Sequence, residues 1–227
     1  MEHAPRVARR RVGAGRPAPA PRLRMVARLA AQGIRDSRVL DALAAVPRHR
    51  LVPEALRHQA YRDRALPIGD GQTISAPGVV AAMSQALGLR GSETVLEVGT
   101  GSGYQAAVLA RLASRVVSVE RIARLADRAR SALDALGVSN VVVHLGDGTR
   151  GRPADAPFDA IVVTAGGPEV PESLLAQLGP KGRLVGPFGP RGRQSLVRVR
   201  RRGRRFEREV LGPCRFVDLV GAGGWEP

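Results

Sequence analysis

Ten residues, Thr94 to Gly103 (TVLEVGTGSG), restrict this chain's possible folds more than any other stretch. Val95, Leu96 and Val98 surround an acidic Glu97, and the run then breaks into Gly99, Gly101 and Gly103. Tyr104 to Arg111, YQAAVLAR, continues with helical character. The stretch predicts a buried strand, a glycine-rich turn and a helix start. Glycines let the main chain turn sharply and let a ligand approach it, and a helix start presents unpaired N–H groups. The spacing is G-x-G-x-G, whereas the dinucleotide fingerprint places its third glycine one residue later. Such a turn also serves as a plain connector, so its meaning depends on the next strand. Arg115 to Glu120, RVVSVE, ends in an acid 17 positions after Gly103. An acid at that strand end suits a ribose diol. Gly99, Gly101, Gly103 and Glu120 therefore read as one nucleoside site, with a solvated strand-end Glu120 as the alternative.

Around this stretch, short apolar runs alternate with helical patterns. Strands are expected at Val95–Val98, Val116–Glu120, Val141–Leu145, Ala160–Thr164 and Arg183–Gly186. Helices are expected at Tyr104–Ser114, from Ile122, and at Pro171–Leu178. Near-continuous apolar strands separated by helices predict a doubly wound, mostly parallel α/β sheet covered on both faces. Ahead of it, Met25–Ala31, Ser37–Ala45 and Glu54–Ala60 predict a helical layer that closes the ligand cleft. Arg64 to Pro77, RALPIGDGQTISAP, reads as a loop rich in hydrogen-bonding groups, and Gly78–Leu87 as a helix. After Arg191, Gln194–Arg200 and Phe206–Leu211 alternate around Gly203 and predict an antiparallel hairpin. The expected organisation is an Arg/Pro-rich disordered tail over 1–24 and a single domain over 25–227. Within it, 25–90 is a helical cap with a substrate loop, 91–190 the cofactor-binding sheet, and 191–227 the hairpin and C-terminal substrate loop.

At 227 residues and 44% hydrophobic content the chain can bury a full core. No apolar run approaches the roughly 18–20 residues of a membrane span. Arg9, Arg10 and Arg11 precede no apolar stretch, which argues against an export signal. Cys214 is the single cysteine, so there is no disulfide framework and no thiolate zinc site. These features point to the cytoplasm. The formal charge of +16 suggests nucleic acid at first sight. However, Lys181 is the only lysine, and Arg, Ala, Gly and Pro abound, a pattern that GC-rich coding produces unaided. The nine arginines between Arg191 and Arg208 suit a solvated edge hairpin. Specific nucleic-acid binding is not expected.

Glu97, the glycines, Glu120 and the pair Asp147-Gly148 fall at the ends of the first three sheet strands, where nucleotide sites form. NAD needs a pyrophosphate seat that this glycine spacing does not offer. Asp147 near an adenine site and the closing hairpin favour S-adenosylmethionine. The chain has no P-loop. His3, His49, His58 and His144 are scattered, and no metal is expected.

These residues sit within stretches that resemble the protein-L-isoaspartate O-methyltransferase family: VLDALAAVPRHRLVPEAL (39–56), AYRDRALPIGDGQTISAP (60–77), VLEVGTGSGYQAAVLA (95–110), VVSVERI (116–122), GDG (146–148), the segment 157–190 and CRFVDLVG (214–221). The resemblance runs from about Met25 to Gly221, and GQTISAP with EVGTGSGYQAAVLA is its most specific part. It implies a doubly wound sheet with a helical layer and closing hairpin. It also implies methyl transfer from S-adenosylmethionine to the free α-carboxylate of L-isoaspartyl residues in proteins and peptides. The ester then closes to a succinimide. The family's active-site serine falls on Ser75, where the bland reading is a hydroxyl capping the next helix. A carboxylate acceptor with a pKa near ~3.5–4 is already ionised at neutral pH. It needs orientation by donors such as Thr73 and Ser75 and no general base. The sequence departs from the family at Gly78, where relatives carry Tyr or His, at Asp218 in place of the proline of FVPLVG, and at Asp70. Three rivals remain: an aspartyl methyltransferase of a peptide-maturation pathway, an RNA methyltransferase, and a non-catalytic RNA-binding module.

Overall fold

The computed structural model describes residues 20–226. Two helices come first, α1 (Pro21–Ala31) and α2 (Ser37–Ala45), followed by short 3₁₀ turns at Arg48–Arg50 and Glu54–Gln59. A small hairpin, β1 (Leu66–Gly69) and β2 (Gln72–Ile74), leads into α3 (Pro77–Leu87). The main sheet is built from β3 (Thr94–Val98), β4 (Arg115–Glu120), β5 (Val141–Leu145), β6 (Phe158–Val163), β7 (Leu178–Phe188), β8 (Gln194–Arg202) and β9 (Arg205–Cys214). Between them lie α4 (Tyr104–Leu109), α5 (Ala123–Ala135) and α6 (Glu172–Ala176).

The seven strands lie in the order β5-β4-β3-β6-β7-β8-β9. The first four pairings are parallel and the last two antiparallel. The chain winds outward from β3 through β4 to β5 and returns to β6 on the other side of β3. The switch point therefore lies between β3 and β6, and a crevice opens there at the strands' carboxyl ends. Because successive side chains alternate faces, the sheet separates two cores. Val95, Val116, Ala160, Val162 and Val185 pack under the N-terminal helices with Met25, Leu43 and Met83. Leu96, Val117, Ile161 and Leu184 face the opposite core with Phe158 and Phe188.

Several elements differ from the sequence expectation. Helix α1 begins at Pro21, because proline at the first helical position needs no N–H partner. Pro21 to Arg24 thus belong to the helix, while the rest of the expected tail lies almost entirely outside the described residues. Helix α4 stops at Leu109, short of the expected Ser114. The 64–77 stretch is a tight hairpin. Asp70 and Gly71 both take positive φ (53° and 70°), the geometry of the Asp-Gly hairpin turn. Strand β7 extends well beyond the four residues expected, through Pro180 and Gly182.

Candidate active site

The glycine turn occupies the crevice at the carboxyl end of β3. Gly99, Gly101 and Gly103 have φ of 94°, 54° and 81°, a region that penalises any Cβ. A Cβ at Gly99 would lie 2.5 Å from Thr164 Oγ1. Gly103 caps α4 with no side chain in the way. Glu120, at the end of β4, is 5% exposed and borders the crevice. Its Oε2 accepts from Gly101 N–H at 2.9 Å and its Oε1 from Ile122 N–H at 3.0 Å. Each oxygen retains a lone pair for a further donor.

Glu97 is placed differently from the expectation of a direct contact. Strand alternation turns it to the face of Val95, inside the protein, with no exposed surface. Ser118, its register partner on β4, donates to Glu97 Oε2 at 2.5 Å and also meets the Thr100 hydroxyl at 2.5 Å. Glu97 is thus tied to the glycine turn from beneath and does not line the crevice. Burial pushes its carboxyl up to about 8, partly offset by the Ser118 hydrogen bond.

Asp147 also departs from its expected place at an adenine edge. It caps a short 3₁₀ turn, where its Oδ1 accepts from Thr149 N–H and the Thr149 hydroxyl. Its Oδ2 accepts from Ala222 N–H at 2.9 Å. Burial alone would raise this carboxyl, but these hydrogen bonds hold it below its ordinary value. Asp147 therefore anchors the C-terminal segment 215–225 and stands behind the crevice wall, while Gly148 lines the crevice itself. A Cβ at Gly148 would strike Val98 Cγ1 at 2.6 Å.

The C-terminal segment lies across the crevice as a strap. Gly166 N–H donates to Val217 O at 2.7 Å, and Leu219 N–H donates to Gly166 O at 2.9 Å. Trp225 Nε1–H donates to Gly166 O at 2.8 Å. Val217 to Val220 complete a crevice whose other walls include Gly99, Glu120 and Gly148.

Two further cavities adjoin this crevice. Thr73 and Thr164 line all three, and Ser75 lines the outer two. Thr73 and Ser75 thus sit where the crevice beside Glu120 meets an open groove. Thr164 was not singled out by sequence. Its hydroxyl donates within reach of Val98 O (2.9 Å) and Gly99 O (2.6 Å), locking the floor of the junction. Its only signal in the sequence was its position just past the fourth apolar run.

Residues 21–224 match the protein-L-isoaspartate(D-aspartate) O-methyltransferase family. The chain belongs to this family. It is 55% identical over 196 residues to the protein-L-isoaspartate O-methyltransferase of Methanoculleus marisnigri, covering 86% of this chain and 89% of the relative. It is 54% identical over 208 residues to that of Syntrophus aciditrophicus, covering 90% and 95%. A solved protein-L-isoaspartate O-methyltransferase superposes with a TM-score of 0.81 at 30% identity, over 89% of this chain and 67% of that one. A Plasmodium falciparum protein solved with S-adenosyl-L-homocysteine shares the fold, with a TM-score of 0.76 at 23% identity over 88% and 98%.

The three residues read from the sequence as departures from the family pattern are each engaged. Asp218 pairs with Arg191 at 2.9 Å, and the Arg191 guanidinium lies 4.6 Å from the Trp225 ring centre. Asp70, at the hairpin tip, pairs with Arg124 on α5 at 3.6 Å. Gly78 N–H donates to Asp63 Oδ1 at 2.7 Å, and a Cβ there would crowd Asp63 Oδ2 at 2.8 Å. Among the described residues, no group of three or more His, Cys, Asp or Glu is placed to hold a metal. None of the described helices is long and apolar enough to cross a membrane.

Proposed function

We propose that this protein transfers a methyl group from S-adenosylmethionine to the free α-carboxylate of L-isoaspartyl residues in damaged proteins and peptides. The methyl ester then loses methanol to a succinimide, which opens partly to normal aspartate. The observation that carries this reading is the continuous cleft in a member of this family. An acid-bordered crevice at Glu120, floored by the glycine turn, meets, at Thr73 and Ser75, an open groove that no acid lines. The crevice fits the cofactor: Glu120 keeps free lone pairs for ribose hydroxyls, and the glycines leave the space a Cβ would fill.

S-adenosylmethionine, when bound, supplies an electrophilic methyl on a sulfonium. The chain's own residues do the rest. Glu120 would accept hydrogen bonds from the ribose hydroxyls, Gly99, Gly101 and Gly103 would let the ligand lie against the main chain, and Gly148 would leave room in the crevice wall. Glu97 and Asp147 work one step back, Glu97 by holding the glycine turn and Asp147 by holding the strap. Ser75 and Thr73 would donate to the acceptor carboxylate and hold one of its oxygens oriented at the mouth of the crevice. The acceptor is already ionised, so no residue has to remove a proton. Charge is neutralised as the methyl moves, so a cleft that excludes water favours the step.

We also infer a cytoplasmic location, a reading that the single cysteine supports. Specific nucleic-acid recognition is not part of this reading, since several hairpin arginines are spent on neighbouring acids. Arg198 and Arg200 meet Glu209, and Arg202 meets Glu207. The test is a mass-spectrometric time course on a peptide with one isoaspartyl residue. The expected course is gain of one methyl, then loss of methanol, then a mixture of aspartyl and isoaspartyl products. An unmodified peptide, with cofactor demonstrably bound, would reject the reading.

A further inference from the structure

The groove beside Ser75 contains a single charged residue, Arg215. Its backbone is held on both sides. Cys214, just before it, pairs in register with Gln194 at the end of β9, and Val217, just after it, accepts from Gly166 N–H at 2.7 Å. The Arg215 side chain is exposed, and among the described residues it makes no hydrogen bond or ion pair. Arg191, in the turn between β7 and β8, is already taken by Asp218 of the strap. No acid lines the groove to compete for the Arg215 guanidinium. Thr73 and Ser75 stand in the same groove and supply donors for the reacting carboxylate.

A guanidinium on the reacting oxygens would withdraw electron density from the nucleophile, which gives Arg215 no useful task there. A planar fork of donors is well suited to a different carboxylate. Consecutive residues of an extended peptide lie about 3.8 Å apart at Cα, within the reach of a long arginine. We propose that Arg215 is a specificity-determining residue that pairs with a second carboxylate, on a residue flanking the isoaspartyl unit. Isoaspartyl sites with an acidic neighbour are then the preferred substrates. The inference rests on the methyl-transfer reading above.

The test uses the full-length protein, labelled S-adenosylmethionine and a matched peptide set. Each peptide carries one isoaspartyl residue, with Glu, Gln or Lys at one flank and then at the other. For at least one flank, kcat/KM should fall from Glu to Gln to Lys, by about 3- to 10-fold overall, with the change in KM. The spread should shrink as salt rises. Arg215→Ala should flatten it and Arg215→Glu should invert it, while both variants keep wild-type cofactor affinity. Equal rates across the wild-type set, a preference for Lys, or a Glu preference that survives Arg215→Ala would overturn this inference alone. No transfer to any of the peptides would overturn it together with the methyl-transfer reading.

Discussion

The roles proposed for Glu120, Ser75 and Glu97 are separable, so single substitutions test each one. Glu120→Ala removes the acceptor at the ribose end and should weaken S-adenosylmethionine binding by about 1–3 kcal/mol, the cost of losing hydrogen bonds to a charged group. Unchanged affinity by calorimetry would refute that role. Ser75→Ala removes one donor from the acceptor carboxylate, so kcat/KM toward an isoaspartyl peptide should fall about 10–100-fold. Cofactor affinity should hold, because Glu120 and Gly148 lie at the other end of the cleft. A label trapped on Ser75 would instead make it a covalent nucleophile. Glu97 predicts a pH effect on stability. Its carboxyl rises from 4.5 to about 8 on folding, chiefly through burial. The folded protein therefore holds a proton that the unfolded chain has released between those values, and this contribution is present below about pH 4.5 and lost as pH rises toward 8. Glu97→Gln keeps an acceptor for Ser118 and carries no charge. The Tm of the cofactor-free variant should thus gain on wild type between pH 5 and 8, at about 2–4 °C per kcal/mol. A wild-type Tm that tracks the variant across that range would contradict the buried, proton-holding state.

Whole elements are held by networks that leave little trace in sequence. Glu93 accepts from Arg90 and Gly91 N–H and pairs with Arg183 at 3.0 Å, and Arg183 also reaches Leu87 O and Gly88 O. This ties the end of α3 to the start of β3 and to β7. Removing Glu93 leaves a largely enclosed guanidinium without its acid, so Glu93→Ala should cost about 2–4 kcal/mol by urea denaturation. A loss under half a kcal/mol would show the network to be idle. The parallel strands were legible from sequence because burial on both faces writes continuous apolar runs such as those of β3 and β4. The hairpin β1–β2 was not. Its strands are three or four residues long and carry Pro67, so the Asp70-Gly71 turn signal lacked the alternation that normally accompanies it. Glu97 and Asp147 were found as important acids, but their direction was not legible. Strand alternation and a register partner, Ser118, turn Glu97 inward, and a hydrogen bond from the distant Ala222 N–H, beside the capping bond from Thr149, turns Asp147 toward the strap. Thr164 and Arg215 gained meaning only once the chain's ends met, since each is 40 or more residues from the loop it faces.

Across the whole molecule, the β1–β2 hairpin, the start of α3, the carboxyl ends of the sheet strands and the strap converge on one cleft with two ends, whereas α1 and α2, expected from sequence to close it, pack on the core and line none of it. The high positive charge is compatible with that cleft, because a cationic protein attracts an anionic acceptor without needing a nucleic-acid site. Arg205 and Arg208 of β9 lie along the exposed edge strand, where charge opposes edge-to-edge pairing. The central claim is that the open end of the cleft accepts an isoaspartyl carboxylate and nothing else the charge might attract. One competition reaction tests it: labelled S-adenosylmethionine, an isoaspartyl peptide, its aspartyl twin and bulk RNA, all present together at physiological salt. The account predicts that the label enters the isoaspartyl peptide as a base-labile ester, with the twin and the RNA at background. Label in the RNA, or equal label in both peptides, would contradict it.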